Sequence, residues 1–163
     1  MVRCDDLVGM LFPHLDAVLV NAVFRADEVL HVEARTRELG AVCPDCATPS
    51  GRVHSTYARH LADGPIGDQP VWIDLTVRRL YCENADCPRR TFAEQVKGLT
   101  VRYGRRTSAA RRVLEAVAIA LAGRAGSRLA TILHTRTSRM TLLRAIMDHP
   151  DPVWTVPKGP RSR

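Results

Sequence analysis

The chain has 163 residues, of which 45% are apolar, 25% charged and 5% aromatic. That length excludes a barrel of about 250 residues, and the apolar fraction excludes a wholly disordered chain. Lys and Arg number 24 against 17 Asp and Glu, a formal charge of +7 that favours an anionic partner without defining a fold.

Residues 1–42 hold four basic and seven acidic side chains. Asp5 and Asp6 beside a lone Arg3 do not suit an export signal. The longest helical apolar run, 116–122, falls short of the ~20 residues a bilayer needs. The expectation is a soluble intracellular protein with no membrane partner, whose five cysteines stay reduced. Residues 14–42 read as a β-hairpin region. Leu30, His31, Val32, Glu33 and Ala34 alternate with the period of a half-buried strand. Residues 18–24 are its partner, with 25–28 as the turn.

Residues 43–99 carry turn formers (Pro49-Ser50-Gly51, Asp63-Gly64-Pro65, Gly67-Asp68) and two strand candidates, 53–57 and 71–79. In the longer strand Val71, Ile73, Leu75 and Val77 share one face. This is expected to be a small domain with little core. Cys43 and Cys46 stand as C-x2-C, and Cys82 and Cys87 stand as C-x4-C. Each spacing lets one tight turn aim two sulfurs at a point, and two such turns complete a tetrahedron. Four thiolates suit zinc and leave no open position, so the expected cofactor is one structural Zn2+ whose binding supplies folding energy. Four unrelated thiols or a redox C-x-x-C are the competing readings; the second lacks the strand-to-helix context of such motifs. Cys4 has no partner in this scheme. His54 and His60 lie between the pairs and could replace a sulfur, but four cysteines already fill the shell, so they read as surface or phosphate-facing groups; His14, His31, His134 and His149 read as structural.

Residues 105–163 hold twelve basic and three acidic side chains, eleven of the bases being Arg. Such a bias fits phosphates and guanine edges, and equally a solvated helix face. Val113, Val117 and Leu121, widened by Leu114 and Ala118, predict an amphipathic helix that stops at Gly123. A short helix over 127–134 is expected to bury Leu129, Ile132 and Leu133. After the polar turn 135–137, Ser138 caps a third helix reaching Asp148, ended by Pro150 and Pro152. Helix, short helix, turn and capped helix over 105–149 have the layout of a helix-turn-helix, and of other small bundles.

At 100° per residue Met140, Leu142, Leu143, Ile146 and Met147 form the expected core face of the third helix. Thr141, Arg144 and Ala145 are then the candidate base readers. Arg136, Ser138 and Arg139 sit at the helix start, where free amides favour phosphate. Arg105, Arg106, Arg111 and Arg112 form a second basic cluster suited to the DNA backbone. Residues 150–163 hold four of the ten prolines and are expected to be a disordered tail. The fold class expected is α+β: a small β-rich zinc ribbon followed by a three-helix bundle.

Assembled, these residues resemble the N-terminal part of insertion-sequence transposases of the ISL-three family. The resemblance is carried by Cys43-Pro44-Asp45-Cys46, by Arg52-Val53-His54-Ser55 with Tyr57, Arg59 and Leu61, and by Val77-Arg78-Arg79. It continues through Cys82-Glu83-Asn84, Cys87-Pro88-Arg89-Arg90 and Phe92-Ala93-Glu94. Ala125-Gly126-Ser127-Arg128-Leu129 and Ser138 with Thr141-Leu142-Leu143-Arg144 extend it to about residue 149. It implies a zinc ribbon and helix-turn-helix that bind terminal inverted repeats in double-stranded DNA, in a prokaryotic, nucleoid-associated setting. In that family a nuclease domain with three metal-binding carboxylates follows. Here no acidic residue follows Asp151, so the expectation is a truncated, non-catalytic DNA-binding module. Two alternatives stand beside it: a regulator that pairs with full-length transposase or with itself, and a metal nuclease built on Asp5, Asp6 and Asp16.

Overall fold

The computed structural model describes residues 4–135 and 137–150. Helix α1 (Cys4–Leu11) and a 3-10 turn (Pro13–Leu15) lead into strands β1 (Val18–Ala26) and β2 (Val29–Thr36). Asp27 and Glu28 both have positive φ (47° and 63°), the geometry of a two-residue hairpin turn whose twist matches that of its strands. Strands β3 (Ala41–Val42) and β4 (Pro49–Ser50) form a short separate pair. The long strands β5 (Val53–Ala62) and β6 (Val71–Tyr81) follow, then β7 (Thr91–Ala93).

The sheet order is β1-β2-β6-β5, with β7 paired to the far end of β6. Strand β2 runs parallel to β6, setting Val32 beside Ile73 and Ala34 beside Leu75. The expected boundary at 42/43 therefore does not divide the fold: the hairpin and the long strands share one sheet. Nor is the core thin there. Val32, Leu61, Ile73, Leu75 and Val77 are fully buried beneath Phe12, Leu15, Val96 and Leu99. Alternation in a sequence gives each strand its inward face but not its partner. On the opposite face Asp74 accepts hydrogen bonds from His31 Nδ1 (2.7 Å) and His60 Nδ1 (2.5 Å), tying three strands together. Burial raises the Asp74 pKa, but the two imidazole bonds outweigh it and hold the carboxyl below its usual value.

Helices α2 (Ser108–Leu121), α3 (Gly123–Ile132) and α4 (Arg139–Met147) pack on one another. Their core is small: Leu114, Ala118, Ala130 and Leu142, flanked by Ala145 and Ile146. Ser138 caps α4 by accepting from the Thr141 amide, as its position in the sequence predicts. The second helix starts earlier than expected, at Gly123. It packs through Gly126 and Ala130 rather than Leu129, Ile132 and Leu133; Ile132 is 71% exposed. A Cβ on Gly126 would come within 2.9 Å of Leu142 Cδ1, so the missing side chain is what lets α4 approach.

The inward face of α4 also differs from the expected one. Leu142, Ala145 and Ile146 face in, while Met140, Leu143 and Met147 are exposed. The helix is short and its core partners are small. Three and four residue spacings from Leu142 already fill the interface, leaving the other apolar side chains outside.

The bundle is joined to the sheet by a polar node. Thr107 caps α2, and its hydroxyl donates to Asp63, which also accepts from His14 Nε2 at 2.7 Å. Burial raises the Asp63 pKa, but the His14 and Thr107 bonds prevail and keep the carboxylate ionised. Backbone bonds Ala62 N to Arg105 O and Thr107 N to Ala62 O lock the same junction. The expected tail, 150–163, lies outside the described residues from 151 onward, as does Arg136.

Candidate metal centre

The two cysteine pairs sit on two turns. The β3–β4 pair carries Cys43 and Cys46, with Cys43 N bonded to Thr48 O (2.9 Å) and Ala47 N to Cys43 O (2.8 Å). Closing this turn places Ala47 at φ 57°, a left-handed conformation that costs an L-residue about 1–2 kcal/mol. Cys82 leaves the end of β6 and Cys87 precedes β7; Cys82 N bonds Arg90 O and Cys87 N bonds Asn84 O.

The 35 residues between the pairs are spanned by the long β5–β6 excursion, which brings the turns together. All four sulfurs lie within 4.8 Å of one another, and Cys46 and Cys82 are 3.5 Å apart. A disulfide needs about 2.05 Å, so these are four thiols. Four sulfurs at about 2.3 Å from one ion stand about 3.8 Å from each other, and this cluster has that scale.

The electrostatics agree. Hydrogen bonding with the Thr48 side chain and backbone lowers the Cys46 thiol to about 6. Burial, with the neighbouring sulfurs, raises Cys82 to about 12, and Cys87 is also held up. Four sulfurs this close do not all ionise without a cation among them, and a divalent ion relieves that repulsion. Cys43 and Cys87 are buried with Leu80 and Phe92 in a small apolar cluster of their own, with Cys46 and Cys82 half-buried against it. The set fits one structural zinc ion, with Cys43, Cys46, Cys82 and Cys87 as its ligands.

Two ion pairs that the sequence did not point to hold the ribbon in place. Arg89 bridges to Asp45 at 2.6 Å, linking one cysteine turn to the other. Buried Glu94 accepts from Arg78 Nη2 (2.6 Å), from the Arg78 amide and from Thr36. Arg78 also donates to the carbonyls of Glu38 and Leu39, so one guanidinium pins the chain entering the ribbon to the sheet. Of the histidines between the pairs, His60 is bound to Asp74 and His54 to Ser55; neither reaches the sulfurs.

The described residues among those read as DNA contacts lie on α2, on α4 with its cap, and on the segment just before α2. Arg105, Arg106, Arg111, Thr141, Arg144 and Ala145 all line one hollow of about 300 Å³ between α2, α4 and the segment 101–106. Arg105, Thr141 and Arg144 are exposed, and Arg111 is paired with Glu115 at 2.7 Å. Ala145 is half-buried against the helical core, on the side of α4 away from the exposed face assigned to it. Arg112, Ser138 and Arg139 are exposed but outside the hollow.

Residues 40–87, which contain all four cysteines, match the family model of the zinc finger of transposase IS204/IS1001/IS1096/IS1165. No curated protein and no solved structure matches the chain. Among the described residues no helix is long and apolar enough to cross a membrane.

Proposed function

We propose that this chain is a zinc-ordered, non-catalytic module that binds double-stranded DNA through its three helices, with α3 and α4 acting as a helix-turn-helix. Its expected targets are the terminal inverted repeats of a transposable element. The observation that carries this reading is the convergence of six of the ten candidate contact residues on one hollow, although they come from three separate segments. Thr141 and Arg144 stand on the exposed side of α4, and Arg105, Arg106 and Arg111 flank it. The transposase-type zinc finger over 40–87 supports the nature of the target.

Binding should weaken steeply with salt as phosphate contacts release counterions. Arg105→Ala is expected to lower the slope of log affinity against log salt by about 1. Arg144→Ala is expected to cost about 1–3 kcal/mol and to relax preference at one base pair. Fluorescence anisotropy with terminal-repeat and scrambled duplexes measures both effects. Equal affinity for the two duplexes would rule out sequence-specific recognition.

A second reading is a regulator that pairs with a full-length transposase or with itself. The exposed Ile132, Met140, Leu143 and Met147 favour it, since a 45-residue bundle seldom leaves so much apolar surface in water without use. Sedimentation that finds only monomers, alone and mixed with transposase, removes this reading.

A further inference from the structure

A second, larger hollow lies on the other side of segment 101–105. It is a cleft of about 1120 Å³ between the cysteine turns, the outer half of the β5–β6 ribbon and that segment. Its walls hold five arginines and three glutamates; Glu94 is already neutralised by Arg78 and Arg89 by Asp45, which leaves four arginines against two glutamates. Two exposed tyrosines look into it. Tyr57 stands on the same sheet face as Val77 and Arg79, where that face has run beyond the apolar core. Tyr103 is 84% exposed.

The fold takes pains to present Tyr103. Its backbone is left-handed (φ 61°), a conformation that a bulky side chain adopts only when its surroundings impose it. They do: Arg59 donates to the carbonyls of Val101 (3.0 Å) and Gly104 (2.8 Å), and Gly104 N bonds Val101 O, clamping the loop on both sides of the ring. The Arg102 guanidinium lies 4.9 Å from the centre of the Tyr103 ring, a cation–π contact, and the ring stays open to solvent. A rigid, exposed aromatic backed by a guanidinium in a basic concavity is a stacking platform for a nucleobase. Paired bases hide their faces in the helix stack, so such a platform serves unpaired ones. Residues 102–105 line both hollows, so the two adjoin along this stretch of chain.

We propose that this cleft holds a short unpaired DNA segment continuous with the duplex on the bundle, its bases stacking on Tyr103 and Tyr57. The proposal rests on the duplex-binding reading above only for the position of the junction.

The test uses the zinc-loaded full chain and three anisotropy probes: a blunt duplex, the same duplex with a six-thymidine overhang, and the oligothymidine alone. The overhang is expected to tighten binding by at least roughly 5-fold, each stacked base contributing about 5-fold to 150-fold. Tyr103→Ala and Tyr57→Ala are each expected to reduce that overhang-to-blunt ratio, and Tyr103→Phe to retain it, with circular dichroism unchanged. Arg144→Ala should weaken both duplex probes and leave the ratio intact. A wild-type ratio of one, or a ratio unmoved by both alanine variants, overturns the proposal. Tyrosine-dependent binding of oligothymidine with no binding of blunt duplex would sustain the cleft and reject the duplex reading.

Discussion

Cys43→Ser is expected to yield a chain without zinc whose ribbon is unfolded while its main sheet persists. The local apolar cluster around the sulfurs has only two large side chains, Leu80 and Phe92. Burying them contributes about 1.5–3 kcal/mol each. Ordering the backbone of the two cysteine turns costs about 1–2 kcal/mol per residue, which the apolar contacts alone cannot offset. Structural zinc contributes about 10–16 kcal/mol in finger peptides, several times what the two apolar side chains supply. Removing one ligand forfeits most of that. The sheet keeps its own core of Val32, Leu61, Ile73, Leu75 and Val77, which owes nothing to the ion.

Hydrogen exchange checks this residue by residue. Protection should vanish over 41–50 and 82–92 and survive in β1, β2 and the inner half of β6. Cys4→Ser, which alters neither the C-x2-C nor the C-x4-C pair, should keep both zinc and protection. Retention of the ion by Cys43→Ser with undiminished affinity would show that Cys43 is not one of its ligands.

Leu142→Ala is expected to unfold the helical bundle and leave the zinc site untouched. Leu142 is the one fully buried α4 side chain in the helical core; its fellow buried members are Leu114 and two alanines. Truncating a buried leucine costs about 2–5 kcal/mol. A unit of this size has only about 2–7 kcal/mol of stability to lose. The far-ultraviolet helical signal and duplex affinity should fall together, with zinc content unchanged. A cooperative wild-type-like melt in this variant would show that α4 is held by other contacts.

These two outcomes bear on what was legible in the sequence. The cysteine spacing pointed to the metal cluster because a ligand set is a local signal repeated twice. The alternation in 30–34 and 71–77 likewise marked two inward faces. Pairing of β2 with β6 was not legible, since a parallel contact across 40 residues leaves no trace in either strand's pattern.

The helices misled in a specific way. Apolar periodicity weights large side chains, so Met140, Leu143, Met147 and Ile132 looked internal. Around Leu114 and Leu142 the close packing is made by Ala118, Gly126, Ala130 and Ala145, which hydropathy scarcely registers. Helix α1 went unread because eight residues offer barely two turns of pattern. The basic cleft was invisible for another reason. Tyr57, Arg79 and Tyr103 come from β5, β6 and a loop, and only the fold puts them on one surface.

X-ray absorption at the zinc edge of the purified full-length chain tests the central claim most directly, because it counts the atoms bound to the ion. One zinc per chain with four sulfurs at about 2.3 Å is the result expected. Nitrogen or oxygen neighbours in place of sulfur, or a natively folded chain without metal, would contradict it.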